Sequence, residues 1–161
     1  MEITYLDNSF KIKGKNASIV AGIGITIDNT TTNFKKEIDG PGEYEVAGIS
    51  VIGIRCGKNT VYVIEAEGLR LLYLGILDQK LDESSIKEIG SIDIAFVPVE
   101  MDSIKQINAS IIVPIYSKNE KEKVEAFVTE FGLRVENLAK LNIKEGDITS
   151  DEQHIVVLEK K

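Results

Sequence analysis

Histidine and cysteine are almost missing from this chain, which has one of each, His154 and Cys56. A single cysteine forms no internal disulfide, and no CxxC pair or Cys/His spacing for zinc accompanies it. One imidazole does not make a transition-metal centre, because affinity comes from several ligands held together. Long apolar runs are missing too; the longest are strand-sized, far below a membrane span. The opening Met1-Glu2-Ile3-Thr4-Tyr5 lacks the basic patch and apolar stretch of a secretory signal. A cytoplasmic protein without a membrane role is the expectation. Basic charge is also in deficit, with 19 Lys and Arg against 26 Asp and Glu and a net charge of -7. Such a chain does not neutralise phosphates by default, so nucleic acid is not an expected partner. The densest basic pairs, Lys35-Lys36 and Lys160-Lys161, read as solvated surface.

What is present is the material of one soluble domain spanning residues 1–161. Hydrophobic residues make up 43% and charged residues 28%, enough apolar surface for a substantial core. The first 66 residues carry strand patterns and no helix. Ile3-Leu6, Phe10-Ile12, Ala17-Ala21 and Gly24-Ile27 are short apolar or alternating runs, separated by Asp7-Asn8, Gly14-Lys15-Asn16 and Asp28-Asn29. A polar Thr30-Asn33 stretch leads to Asp39-Gly40-Pro41-Gly42, which predicts a sharp turn. Tyr44-Val46, Ile49-Ile54 and Val61-Ala66 then read as strands.

The second half mixes strands with helices. Leu71-Leu74, Ile92-Val97 and Ile111-Pro114 read as strands. Asp82 is positioned to cap a short helix that Gly90 stops. Asp102-Ile107 suggests one or two helical turns. Ser117 and Glu120 form a Ser-x-x-Glu capping box before Val124, Phe127, Val128 and Phe131, which share one helix face. Leu133-Val135, Leu141-Ile143 and Ile155-Leu158 close the chain as strands. This pattern predicts a mixed domain with a sheet-on-sheet core and helices against at least one sheet.

Several strings carry a resemblance. Met1-Leu6, Asp39-Val46 with Gly48-Val51, Gly57-Glu65, Leu71-Gly75, Ile92-Pro98 and Ile111-Pro114 follow one another in a familiar order. They resemble the small metallo-β-lactamase-fold proteins that include the ascorbate-phosphate-lactonase-like zinc-dependent hydrolases. The resemblance implies an α+β fold: a metallo-β-lactamase-like β-sandwich with helices outside. The chain reads as a truncated member whose N-terminal half is short of its usual helical cover. It also implies, for the family, a dinuclear metal site built from loops at one edge, where metals polarise the scissile bond and generate hydroxide.

The matching positions in this chain do not carry that ligand set. The opening Gly-His-Ser motif falls on Asp7-Asn8-Ser9, so its histidine is Asn8. The His-rich loop belongs between Val20 and Asp39, where 18 residues hold no histidine. By motif spacing, roughly fifty residues are missing there, far more than an ordinary loop. The loop after Ile54 has shrunk to Arg55-Cys56, the bridging aspartate is Ile76, and the last histidine is Tyr116. His154 lies where the family has no ligand and reads as a surface or edge-strand residue.

No catalytic, cofactor-binding or metal residue is therefore assigned, and no cofactor is expected. Three functions stay open. The first is a non-catalytic module, a pseudoenzyme acting through association with itself, most simply as a dimer, or with a paralogous hydrolase. Val61-Ala66 and Ile49-Ile54 are apolar on both faces, and a face bared by the missing helical cover would seek another chain. The second is a hydrolase with a rebuilt or magnesium-dependent site using Asp7, Asp28, Asp78 and Tyr116. The third is a small-ligand module in the vestigial cleft, which Tyr116 and Tyr62 could line. Ser9 lacks a histidine partner, Cys56 lacks a group that would lower its pKa, and Gly22-x-Gly24 is only half a dinucleotide fingerprint.

Overall fold

The computed structural model describes residues 1–100, 104–149 and 151–161. Its first sheet is built from β1 (Glu2–Tyr5), β2 (Phe10–Lys13), β3 (Ala17–Ala21), β4 (Ile25–Asn29) and β5 (Phe34–Ile38), with the later β13 (Leu141–Asn142) on its edge. The neighbours are antiparallel. Alternation along β2, β3 and β4 explains the layer. Ile3, Tyr5, Phe10, Ile12, Ile19, Ile25 and Ile27 are buried, while Lys11, Lys13 and Asp28 between them face water. The outer face of this sheet therefore needs no helix.

The expected strands are present, with one addition. The residue pattern predicts no strand over Phe34–Ile38, yet β5 pairs with β4 along its whole length. Its composition, Phe-Lys-Lys-Glu-Ile, hides it, because an edge strand buries little and uses charge to discourage further pairing.

Residues 39–41 carry the chain from the first sheet to the second. Gly42 opens the next strand at φ 139°, a conformation that favours glycine. Gly53, opposite Gly42 in the ladder, has no room for a side chain, because a Cβ there would collide with the Gly40 carbonyl oxygen.

The second sheet contains β6 (Gly42–Val46), β7 (Ile49–Cys56), β8 (Asn59–Ala66), β9 (Leu69–Tyr73), β10 (Ile92–Pro98), β11 (Ala109–Ile115), β14 (His154–Leu158) and β12 (Arg134–Leu138), in that spatial order. β6 to β9 form an antiparallel meander, and β9, β10, β11, β14 and β12 run parallel. The parallel part requires crossovers, two of them provided by α1 (Glu83–Ile89) and α2 (Lys121–Phe131). Asp82 caps α1 by accepting from the Ser85 amide at 2.7 Å, and Gly90 ends it. At α2 the capping box shifts. Ser117 donates its amide to the Glu120 side chain at 2.7 Å, but Glu120 itself is the N-cap. The box thus closes a turn just before the helix, and Gly132, left-handed at φ 60°, stops the far end. Of the helical turns expected over Asp102-Ile107, a 3-10 turn occupies Ile104–Gln106; Asp102 lies outside the described residues.

Two apolar layers result. Between the sheets lie Phe10, Ile64, Leu71, Phe96 and Val113 with their neighbours. On the far face of the second sheet, Ile54, Val61, Val63, Leu72, Ala95 and Ile112 pack with Leu77, Leu81, Ile89 and Phe127. Val61 and Val63 are fully buried. The strand faces expected to be bared are thus covered within the chain, by α1, α2 and residues 74–81. The outer face of the first sheet, with Lys11, Lys13 and Asp28, is polar and stands without helical cover. Among the described residues, no helix is long and apolar enough to cross a membrane.

Candidate functional site

In a parallel sheet, the carboxyl ends of the strands form the usual binding edge. Here the ends of β9, β10, β11 and β14 share one rim with the turn between β1 and β2. That rim holds most of the positions singled out from the sequence. Asn8 and Asp7 are exposed in the turn, Ile76 is 76% exposed just past β9, and Tyr116 directly follows β11.

Tyr116 is committed to structure. Its hydroxyl donates to the Leu158 carbonyl at 2.7 Å. Its amide donates to the Tyr5 hydroxyl at 2.8 Å, and that hydroxyl donates to the Tyr116 carbonyl at 2.7 Å. The two rings meet edge to face at 5.3 Å, and Tyr5 stacks on Phe10 at 4.0 Å. Burial raises the pKa of both phenols, and the Glu159 carboxylate adds to the rise at Tyr116. Neither is poised to ionise.

The candidate carboxylates do not converge. Asp7 lies on the rim and pairs with Lys118 at 3.3 Å. Asp78 accepts from the Asn59 side chain at 3.4 Å, near the β7–β8 turn. Asp28 is not at this edge. It lies three residues down β4 from Ile25, about 10 Å along the strand, on the exposed outer face and opposite Lys35. Among the described residues, no group of three or more His, Cys, Asp or Glu side chains is placed to hold a metal ion. The dinuclear site implied by the resemblance does not fit the residues present at Asn8, Ile76 and Tyr116.

The remaining candidates are structural. Cys56 is buried, its thiol 3.6 Å from the Ser85 hydroxyl, and burial raises its pKa. Tyr62 is buried between the sheets rather than lining a cleft. Ser9 and Gly22 sit against each other at adjacent turns, Ser9 Cβ lying 3.4 Å from where a Gly22 Cβ would stand. His154 is not on an edge strand; β14 lies between β11 and β12. The ring is half-buried, and its Nδ1 has no hydrogen-bond partner among the described residues.

Sequence reading missed one rim residue. Lys160, expected to be solvated, is half-buried. Its ammonium donates to the Asp7 carbonyl at 2.6 Å and sits 4.7 Å from the Tyr5 ring centre and 5.6 Å from that of Tyr116. Desolvation holds its pKa below the usual lysine range, although the Asp7 carboxylate opposes the shift. No local pattern marks it, because its partners are distant in the chain.

Comparison with known proteins agrees with the two-sheet fold. The sequence model of the family described as the β-lactamase superfamily domain matches residues 25–116, more than half of the chain. A crystal structure from Thermotoga maritima, of a protein proposed to be a Zn-dependent hydrolase of the metallo-β-lactamase superfamily, superposes with a TM-score of 0.77 at 25% identity. The match covers 100% of both chains. No protein of curated function matches. By its sequence match and its two-sheet sandwich, this chain belongs to the metallo-β-lactamase superfamily.

Proposed function

We propose that this protein is a metallo-β-lactamase-fold module that works by association and not by metal-dependent hydrolysis. The observation that carries this reading is the chemistry of the rim. Positions that would supply imidazole or carboxylate hold Asn8, Ile76 and Tyr116, and the Tyr116 hydroxyl is already bonded to Leu158. Generating hydroxide at neutral pH requires a metal or a strong base at the reacting centre, and these side chains offer neither. Between Val20 and Asp39, where the resemblance implies a histidine-bearing loop, this chain has the β4–β5 hairpin.

Association, with a second copy or with a paralogous hydrolase, is supported by two apolar side chains left in water at turns flanking β3 and β9. Ile23 is 98% exposed and Ile76 is 76% exposed. The buried free thiol of Cys56 is compatible with a cytoplasmic setting.

Elemental analysis of protein purified without chelator tests the core of the reading. Zinc, manganese and iron are expected well below one ion per chain. A stoichiometric transition metal that survives dialysis would sink it.

A further inference from the structure

The last residues of the chain are tied into the rim at several points. Lys160 forms an isolated parallel bridge with Tyr5, and the Lys161 amide donates to the Tyr5 carbonyl at 3.0 Å. This backbone seating turns the Lys160 side chain toward the β1–β2 turn. There it meets one carbonyl oxygen and the faces of two aromatic rings. A carbonyl lone pair and ring quadrupoles all present negative charge, and a compact ammonium on a flexible stem suits such a niche. The Asp7 carboxylate, 3.3 Å from Lys118, lies in the same turn.

We propose that Lys160 is the resident cation of this rim: its ammonium, held by the Asp7 carbonyl and the faces of Tyr5 and Tyr116, pins the Asp7–Ser9 turn to the end of β11. The chain thereby supplies from one of its own side chains the positive charge that joins the two sheets at this edge. This goes beyond the missing metal ligands, since a rim could lose those ligands and stay open. Here a lysine closes it. The Tyr5 and Tyr116 rings have a packing role and a second, electrostatic one.

The charge and the aliphatic stem can be separated. Lys160→Met keeps the stem and removes the ammonium; Lys160→Arg keeps a charge. Amide hydrogen exchange is the readout, at Lys161, bonded to the Tyr5 carbonyl, and at Leu6, bonded to the Ser9 carbonyl at 2.8 Å. Lys160→Met is expected to speed exchange at both amides by about tenfold or more through local opening, with Lys160→Arg close to wild type. In the wild-type protein, ring currents should move the Lys160 ε-methylene protons upfield of those of exposed lysines. Wild-type exchange in Lys160→Met, or ε-protons at the ordinary lysine position, overturns the proposal.

Discussion

The Tyr5 hydroxyl both donates to the carbonyl and accepts from the amide of Tyr116, so one side chain of the first sheet completes the backbone hydrogen bonding at a strand end of the second. The two residues are 111 positions apart in the chain. A phenol on one sheet thus does for Tyr116 what a neighbouring strand would otherwise do. Leaving buried backbone groups unpaired costs about 1–3 kcal/mol.

Tyr5→Phe tests this directly, because the ring stays and only the oxygen leaves. A loss of about 1–3 kcal/mol is expected, or roughly 2–12 °C in melting temperature at about 2–4 °C per kcal/mol for a chain of this size. Urea and thermal denaturation both measure it. Unchanged stability would mean that water satisfies Tyr116 in the phenol's place.

The crossing between the sheets predicts a second sensitive position. A methyl group at Gly53 would press on the Gly40 carbonyl oxygen and on Pro41 Cα, 3.0 Å away, and both are backbone. Gly53→Ala should destabilise by about 1–3 kcal/mol through overpacking. Gly146→Ala, where no atom lies within 4 Å, is the control and should stay within about 0.5 kcal/mol of wild type. Equal stabilities for the two variants would contradict the close approach.

Acid should weaken the start of α2. The Glu120 carboxyl is lowered from the ordinary 4.5 to about 2, first by its bond to Lys123 and then by the Ser117 amide. Because the folded value is lower, the unfolded chain binds more protons as pH falls. The contribution is therefore present above about 4.5 and lost as pH falls toward 2. Glu120→Gln should flatten that part of the stability–pH curve, measured by urea titration across the range. A variant curve parallel to wild type would remove Glu120 from the account.

Association is open to light scattering after size exclusion. The expected result is a species larger than one chain at micromolar concentration, shifted toward monomer by Ile23→Asp or Ile76→Asp. A wild-type monomer, with no paralogous hydrolase retained on the immobilised protein, counts against association at this rim.

Much of the fold was legible in the residue pattern. The alternation of Phe10-Lys11-Ile12-Lys13 fixes which side of β2 is wet whatever surrounds it, and Asp82 and Gly90 bound their helix by local hydrogen bonding and backbone freedom. The scarcity of imidazole is a property of composition alone, and it argues against a histidine-ligated dinuclear centre whatever the fold. β5 escaped notice because an edge strand has half the pairing of an interior one and tolerates charge. Tertiary structure alone decided that Val61 and Val63 are covered by the chain's own helices, that Asp28 lies away from the rim, that His154 sits inside a sheet, and that Lys160 is no surface lysine. Each depends on contacts between residues distant in sequence, such as Tyr5 with Tyr116 and Lys160, and a local pattern carries no information about which distant partner a side chain meets.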